Sequence, residues 1–244
     1  MATFVLVHGG GHGGWCYGRV ARLLREAGHL VYAPSLTGLA ERKHLLSADI
    51  DLDTHITDIV SLLDYEDLSD VILVGHSYGG MVITGVADRA GERIARLVYL
   101  DAAHPRNGES LADVAPGMMS LSQSELFVVD GVELVLSPES KAMPLMGVTD
   151  PADFAWMISK ITPQPWKTFT QKLNLKDEAA VRRLPRTSIN CSQALRSSEA
   201  GARERQLDGD QLFEIDTGHD LMITEPRAVA DMLLQAAAKT SVTA

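Results

Sequence analysis

The sequence predicts an α/β fold with a mostly parallel sheet of six strands, helices on both faces and an inserted cap. Three observations lead to this prediction. Short apolar runs alternate with segments of helical periodicity on both sides of a long interruption. A Gly-x-Ser-x-Gly turn joins one apolar run directly to a helical segment. The interruption, residues 104–184, lacks any run typical of a parallel strand, so we assign it to the cap and residues 1–103 and 185–244 to the core.

The predicted strands are short apolar runs of the kind that a sheet buries on both faces. They are Phe4–Val7, Leu30–Ala33, Val71–Val74, Arg96–Asp101, Thr187–Cys191 and Leu212–Ile215. The predicted helices are Tyr17–Ala27, Asp53–Glu66, Met81–Ala87 and Pro226–Ala238. Gly28 and Pro34 support these bounds, because they follow the first helix and the second strand. If the first strand lies beside the third, the strand order is 2-1-3-4-5-6, and a ligand site falls where that order reverses.

The insertion carries signals of its own. Phe127–Val129 and Val132–Val135 flank Asp130-Gly131, which predicts a β-hairpin. The segment near Pro151–Ile161 predicts a helix. Because so long a segment without function would be unusual, we expect it to cover the active site.

Composition excludes several classes of protein. With 22 Lys and Arg against 32 Asp and Glu, the formal charge is −10, which argues against nucleic acid and anionic membranes as partners. No apolar run approaches the roughly 18 residues that a membrane span requires. We expect no signal peptide, because Met1-Ala2-Thr3 runs directly into Phe4–Val7 without a basic region or cleavage site. Two cysteines, Cys16 and Cys191, are too few for a disulfide framework. We therefore expect a cytoplasmic monomer or homodimer with free thiols.

Ser77 is the candidate nucleophile. Its turn stands between the all-apolar run Val71–Val74 and the small apolar residues that begin at Met81. This strand–turn–helix arrangement predicts a nucleophile elbow, in which a strained turn holds a serine Oγ above the edge of the sheet. Gly75 and Gly79 let strand and helix approach each other.

A serine hydroxyl needs a base to remove its proton, and His219 is the candidate. It lies on the loop just after the last predicted strand, and this loop opens at the same sheet edge as the elbow. We expect His76 to point sideways into the structure and His8 to order its own loop. Three further histidines are expected at the surface: His29, His44 and His55.

Acyl transfer also needs N–H donors for an oxyanion. The residue after the nucleophile, Tyr78, should supply one donor. The loop after the first strand, His8-Gly9-Gly10-Gly11, should supply the other, since glycines let backbone N–H groups face a ligand. We choose Gly10 for that role.

These motifs resemble the α/β-hydrolase superfamily, in the compact branch of plant methylesterases, hydroxynitrile lyases and small bacterial esterases. The resemblance covers essentially the whole chain. It includes His8-Gly9-Gly10, His12-Gly13-Gly14-Trp15, Gly75–Gly80, Thr162-Pro163-Gln164-Pro165 and Gly218-His219. The resemblance implies a metal-free, cofactor-free hydrolase with a Ser-His-acid triad.

Two positions depart from the family pattern. The lyases carry a lysine after the catalytic histidine, but this chain has Asp220, an acid that would repel cyanide, so lyase chemistry is disfavoured. The family usually places its triad aspartate after the fifth strand, where this chain has Ala194. Asp101, at the end of the fourth strand, is the preferred alternative, as in some dehalogenases and dioxygenases that look similar. Glu199, another carboxylate or no acid at all remain open.

The predicted function is hydrolysis of small apolar or aromatic carboxylic esters, with carbamates as an alternative. Bacterial relatives that hydrolyse benzimidazole carbamates look similar to this chain. A lyase-like enzyme, a cofactor-free dioxygenase and a ligand-sensing member of the same fold also remain open. The candidate pocket residues are Gly9, His12, Trp156, Trp166 and Met222.

Overall fold

A six-stranded parallel sheet organises the chain. The computed structural model describes residues 1–197 and 200–242. The strands, numbered along the chain, are β1 (Thr3–Val7), β2 (Leu30–Tyr32), β3 (Val71–His76), β4 (Ile94–Leu100), β5 (Phe127–Val129), β6 (Val132–Val135), β7 (Gln164–Pro165), β8 (Arg186–Cys191) and β9 (Gln211–Ile215). The main sheet has the order β2-β1-β3-β4-β8-β9. This is the strand order predicted from the sequence, which is confirmed.

The register aligns the carboxyl ends of the strands at one edge. Val7 of β1 pairs with Gly75 of β3, and His76 pairs with Leu100 of β4. Further along, Leu100 pairs with Ile189 of β8. The loops that follow β1, β3, β4, β8 and β9 therefore emerge side by side, where the strand order reverses.

Helices cover both faces of the sheet. They are α1 (Gly18–Glu26), α2 (Leu52–Tyr65), α3 (Gly79–Ala90), α4 (Leu111–Val114), α5 (Pro116–Ser124), α6 (Pro151–Ile158), α7 (Lys167–Thr170), α8 (Glu178–Arg183), α9 (Ser192–Ser197), α10 (Ala200–Gln206), α11 (Leu221–Thr224) and α12 (Pro226–Val242). Helix α1 packs against α12, and α2 packs against α3. The crossovers from β1 to β2 and from β2 back to β3 run in opposite directions along the sheet. Because such crossovers are right-handed as a rule, the two helix pairs lie on opposite faces. The core lies between each pair and the sheet.

Local sequence explains these elements. All six residues of β3 are buried, as an apolar strand covered on both faces requires. Helix α2 begins at a capping box, in which Asp51 accepts from the Thr54 N–H and Thr54 Oγ1 accepts from the Asp51 N–H. The helices that were not predicted are α4, α5, α7, α8, α9, α10 and α11.

Residues between β4 and β8 form a second, smaller sheet. The predicted hairpin is confirmed, because β5 pairs antiparallel with β6. Strand β7, which was not predicted, adds to the free edge of β6 through Leu134 and Val135. The helix predicted near Pro151–Ile161 is present as α6.

The structure also bears on the two cysteines and on the question of a membrane span. Cys16 and Cys191 are both buried free thiols. Among the described residues, no helix is both long and apolar enough to cross a membrane.

Candidate active site

Ser77 lies in the sharp turn between β3 and α3. Its φ of 52° is left-handed, a conformation that costs a non-glycine residue energy and that occurs at functional turns. The turn is so tight that a Cβ on Gly75 would lie only 2.5 Å from the carbonyl oxygen of Gly79. The residue is partly exposed at the edge of the sheet.

His219 lies in the loop between β9 and α11, beside this turn. Its carbonyl oxygen accepts a hydrogen bond from His76 Nε2 at 3.0 Å, and the two rings are 4.7 Å apart. The residue before Ser77 therefore anchors the loop that carries His219. Within the described part of the chain, no hydrogen bond joins Ser77 Oγ to His219. Such bonds often tighten only when substrate binds.

Asp101 follows β4 directly, and its carboxylate meets the histidine. His219 Nδ1 donates to Asp101 Oδ2 across 2.6 Å. The side chain of Asp101 is 1% exposed, whereas that of His219 is 25% exposed. The donor ring thus faces a buried acid on one side and solvent on the other.

Cys191, the last residue of β8, also binds this carboxylate. Its backbone N–H donates to Asp101 Oδ1 at 3.0 Å and its thiol to Oδ2 at 3.2 Å. Burial alone would raise the pKa of Asp101, but His219 and Cys191 together hold that pKa below its usual range. Asp101 is therefore ionised, and Cys191 supports it from the end of β8, the strand that pairs with β4. Nothing in the sequence marked Cys191 for this position.

Two carboxylates bear on the protonation of His219. Burial would lower the pKa of His219, but the hydrogen bond and charge of Asp101, with a smaller effect of Asp220, raise it above the ordinary value. Glu199, the other acid considered from the sequence, lies outside the described residues. The position of Ala194 falls in α9.

The glycine loop after β1 lies against the Ser77 turn. A Cβ on Gly9 would lie 2.9 Å from Ser77 Cβ, so only glycine fits there. Among the described residues, no hydrogen bond occupies the N–H of Gly10 or of Tyr78. Both groups are available to a ligand atom.

His8 fixes the orientation of this loop. Its Nε2 accepts from the Leu36 N–H at 3.0 Å, so its Nδ1 carries the proton and donates to the Gly9 carbonyl at 2.8 Å. Burial lowers the pKa of His8 to about 3, which keeps the ring neutral. Because the peptide bond is planar and trans, the Gly10 N–H points away from His8.

The candidate pocket residues lie in two places. Trp166 is buried, and its ring meets the ring of Phe169 in a T-shaped arrangement. The Phe169 ring in turn lies 5.2 Å from that of Tyr78. Trp156 packs on Trp15, which stacks on His12. Met222 is fully buried in α11, and His12 is buried with both ring nitrogens hydrogen-bonded.

His55 was predicted at the surface, and that prediction is wrong. Its ring is fully buried, accepts from the Tyr78 hydroxyl at 2.9 Å and donates to the Thr37 carbonyl at 2.9 Å. A signal was present, since His55 lies three residues after Leu52 and four before Ile59 on the apolar face of α2.

The groups that converge at this edge of the sheet suit nucleophilic chemistry. Among the described residues, no group of three or more His, Cys, Asp or Glu side chains could hold a metal ion. At the site there converge a serine on a strained turn, a histidine bonded to a buried carboxylate, and two N–H groups that bond to none of the described residues.

Comparison with other proteins shows which sequences and folds this chain is similar to. The model of the Alpha/beta hydrolase family matches residues 4–232. The "Carbendazim hydrolyzing esterase" of Nocardioides sp. (strain SG-4G) is 39% identical over 242 residues, covering 96% of this chain and 98% of that protein.

Solved structures share the fold. An extracellular alpha/beta-hydrolase from a Paenibacillus species superimposes with a TM-score of 0.80 at 24% identity, covering 97% of this chain and 99% of that one. The methylesterase protein MES16 from Arabidopsis superimposes with a TM-score of 0.77 at 24% identity, covering 98% and 99%.

Proposed function

The chain belongs to the α/β-hydrolase family and is a carboxylic ester hydrolase. From that premise we propose that Ser77, His219 and Asp101 form a triad that cleaves small apolar or aromatic esters through an acyl-enzyme. The 2.6 Å contact between His219 Nδ1 and Asp101 Oδ2, beside the strained Ser77 turn, is the observation that carries this proposal.

Each side chain has a role that its surroundings support. Asp101 accepts a hydrogen bond from the Nδ1–H of His219, which leaves the Nε2 lone pair free to act as a base. The ionised acid also stabilises the imidazolium that forms when the histidine takes a proton. Burial of Asp101 strengthens this effect, because the surroundings screen its charge less than water does.

Catalysis then proceeds in two halves. His219 Nε2 removes the Ser77 proton while Oγ attacks the carbonyl carbon, and the N–H groups of Gly10 and Tyr78 stabilise the oxyanion. The imidazolium gives its proton to the leaving alcohol oxygen as the carbon–oxygen bond breaks. Water, deprotonated by the same nitrogen, attacks the acyl-enzyme and releases the acid and Ser77.

Residues 104–184 serve as the cap in this proposal. The Thr162 N–H donates to the Gly11 carbonyl at 2.9 Å, and Gln164 Oε1 accepts from the Gly11 N–H at 2.9 Å. The Asp220 N–H donates to the Met146 carbonyl at 2.9 Å. The insertion therefore touches both the glycine loop and the loop of His219.

The walls around the glycine loop favour an apolar substrate. A Cβ on Gly10 would lie 2.6 Å from Phe169 Cζ and 3.1 Å from Leu136 Cδ1, so these side chains cover the loop directly. Trp166 extends the same aromatic cluster through Phe169. An acyl or alcohol group in contact with this cluster gains by excluding water from its own apolar surface.

A carbamate is the second candidate substrate. The observation that favours it is the 39% identity, along nearly the full length of both chains, to an esterase named for carbendazim hydrolysis. Carbendazim is a methyl carbamate, which presents to a serine the same planar carbonyl as an ester. The triad chemistry is unchanged, but the acyl-enzyme becomes a carbamoyl-enzyme.

A panel of methyl, aryl and carbamate esters tests both candidates. Wild type and Ser77→Ala are compared on p-nitrophenyl acetate, methyl benzoate and carbendazim. We expect steady turnover by the wild type and none above background by Ser77→Ala, while a thermal shift still detects substrate binding to the variant. Turnover by Ser77→Ala at the wild-type rate would rule out the proposed mechanism.

A further inference from the structure

His12 and Asp220 form a second buried pair of charged side chains. The pair joins the glycine loop after β1 to the loop that carries His219, the proposed base. His12 Nε2 lies 2.9 Å from Asp220 Oδ2, and the two side chains are 2% and 0% exposed. His12 belongs to the loop after β1, and Asp220 directly follows His219. The pair therefore spans the distance between the proposed oxyanion donor and the proposed base.

Hydrogen bonding fixes the charge of His12. Its second nitrogen, Nδ1, lies 2.8 Å from the Gly10 carbonyl oxygen. A carboxylate and a carbonyl both only accept, so both nitrogens of His12 must donate, which only an imidazolium can do. Burial would lower the pKa of His12, but the charge of Asp220 and the two hydrogen bonds raise it.

The rings of His76, His219 and Trp15 lie around this pair. His76 Nε2 lies 3.8 Å from Asp220 Oδ1, and His219 is close enough to oppose the positive charge of His12. Burial, with His219 as a smaller cause, lowers the pKa of His76 to about 3, so His76 is neutral. Trp15 stacks on His12 and carries no charge.

Stability alone does not explain the pair. Asp220 Oδ1 and His76 Nδ1 are buried and have no hydrogen-bond partner among the described residues. A buried carboxylate with one unpartnered oxygen costs free energy, and two apolar side chains of similar volume are commonly as stable as a buried ion pair. Such a cost is typical of a functional site.

The glycine loop needs external anchors, because Gly10 and Gly11 have no Cβ to restrict rotation of their peptides. His8 holds the carbonyl of the Gly9–Gly10 peptide, and His12 holds the carbonyl of the Gly10–Gly11 peptide. Gln164 holds the N–H of the second peptide from the other side. Together these contacts fix the backbone on both sides of Gly10.

We propose that His12 and Asp220 are positioning residues, which as a buried ion pair keep the Gly10 N–H aimed at the oxyanion and hold it at a fixed distance from His219. This inference rests on the proposed function, because it assigns the pair a role in the same reaction. Neither residue touches the reacting atoms in this scheme. The pair acts through Gly10 and through the loop of His219.

The test separates positioning from simple structural support. His12→Phe keeps the stacking on Trp15 but removes both hydrogen bonds and leaves Asp220 as a buried unpaired charge. The double variant His12→Phe/Asp220→Leu removes that charge as well. His104→Phe is the matched control, since His104 is a buried histidine that stacks on Tyr99 and, among the described residues, makes no hydrogen bond to the glycine loop.

Turnover of p-nitrophenyl acetate is measured on the alkaline plateau of each pH profile, so that a change in the pKa of His219 does not contribute. Because an oxyanion donor supplies about 10²–10³ in rate, we expect His12→Phe to lose roughly 10- to 100-fold in kcat with little change in KM. Affinity for an aryl trifluoromethyl ketone, which forms an oxyanion on Ser77, should fall by a similar factor. The control should keep the wild-type kcat.

The double variant distinguishes a positioning role of the pair from a purely structural one. We expect it to recover the Tm that His12→Phe loses but not the kcat. If kcat returns together with Tm, or if neither variant loses kcat, the pair is structural and the inference is wrong. Ser77→Ala, assayed in parallel, keeps the two proposals distinct: turnover by that variant removes the proposed function, whereas its inactivity beside a fully active double variant removes only this inference.

Discussion

Asp101→Asn is the substitution that most sharply tests the assignment of the triad acid. The exchange is nearly isosteric, and asparagine tolerates the left-handed φ of 43° at this position. The surrounding hydrogen bonds determine how the amide must lie. The Cys191 N–H can only donate, so the amide oxygen takes the place of Oδ1, and the NH₂ group takes the place of Oδ2.

That orientation reverses the hydrogen bond to the histidine. The amide NH₂ would donate to His219 Nδ1, where the carboxylate now accepts at 2.6 Å. The proton of the neutral ring then moves to Nε2, and no lone pair faces Ser77. In serine proteases this tautomer costs about 10⁴ in kcat, which corresponds to roughly 5 kcal/mol of transition-state stabilisation.

The assay is kcat/KM for p-nitrophenyl acetate across pH, with Tm measured on the same samples. Asp216→Asn is the matched control, because Asp216 lies in the loop before His219 but is exposed and paired with Arg196. We expect a loss of about 10⁴ for Asp101→Asn and none for the control. Loss of less than tenfold, with the fold intact, would show that Asp101 is not the triad acid.

Three further predictions concern neighbouring groups. Gly9→Ala should lower kcat/KM by about 10² because its Cβ would lie 2.9 Å from Ser77 Cβ, whereas Gly18→Ala, which meets nothing within 4 Å, should not. Cys191→Ala removes the thiol donor to Asp101 and should lower kcat/KM by up to about tenfold, and Cys191→Ser should restore it; equal rates for both variants would contradict this. Burial, with Arg186 and Arg205, lowers the pKa of His104 from 6.5 to about 3, so the unfolded chain binds a proton that the fold excludes. The contribution of the neutral His104 ring to the free energy of unfolding is therefore complete above pH 6.5. It is lost as the pH falls, by up to about 1.4 kcal/mol per pH unit. Chemical denaturation of His104→Phe should therefore show a shallower loss of stability at low pH than that of the wild type.

Much of the fold followed from local signals. Apolar runs that a sheet buries on both faces, such as β3, identify themselves by composition alone. The hairpin of β5 and β6 was found because Asp130-Gly131 suits a two-residue turn. Strand β7 carried no such signal, since its two residues, one of them proline, pair only because the chain returns past β6.

Less of the candidate site than of the fold could be predicted from the sequence. The sequence drew attention to Ser77 and His219 through their glycine neighbours, and to Asp101 through its place after a strand. It did not indicate that His12 and Asp220 meet, because 208 residues separate them and only the shared sheet edge brings their loops together. The contact between the Cys191 thiol and Asp101 was equally hard to predict, since a lone cysteine at a strand end is usually an ordinary core residue.

The most direct test of the central claim is to locate the covalent intermediate. Wild type, Ser77→Ala and His219→Ala are each incubated with diethyl p-nitrophenyl phosphate, and the intact mass and the modified peptide are determined by mass spectrometry. We expect one diethylphosphoryl group on Ser77 in the wild type, none in Ser77→Ala, and labelling slowed by orders of magnitude in His219→Ala. A label on another residue that abolishes esterase activity, or undiminished labelling without the imidazole, would contradict the account.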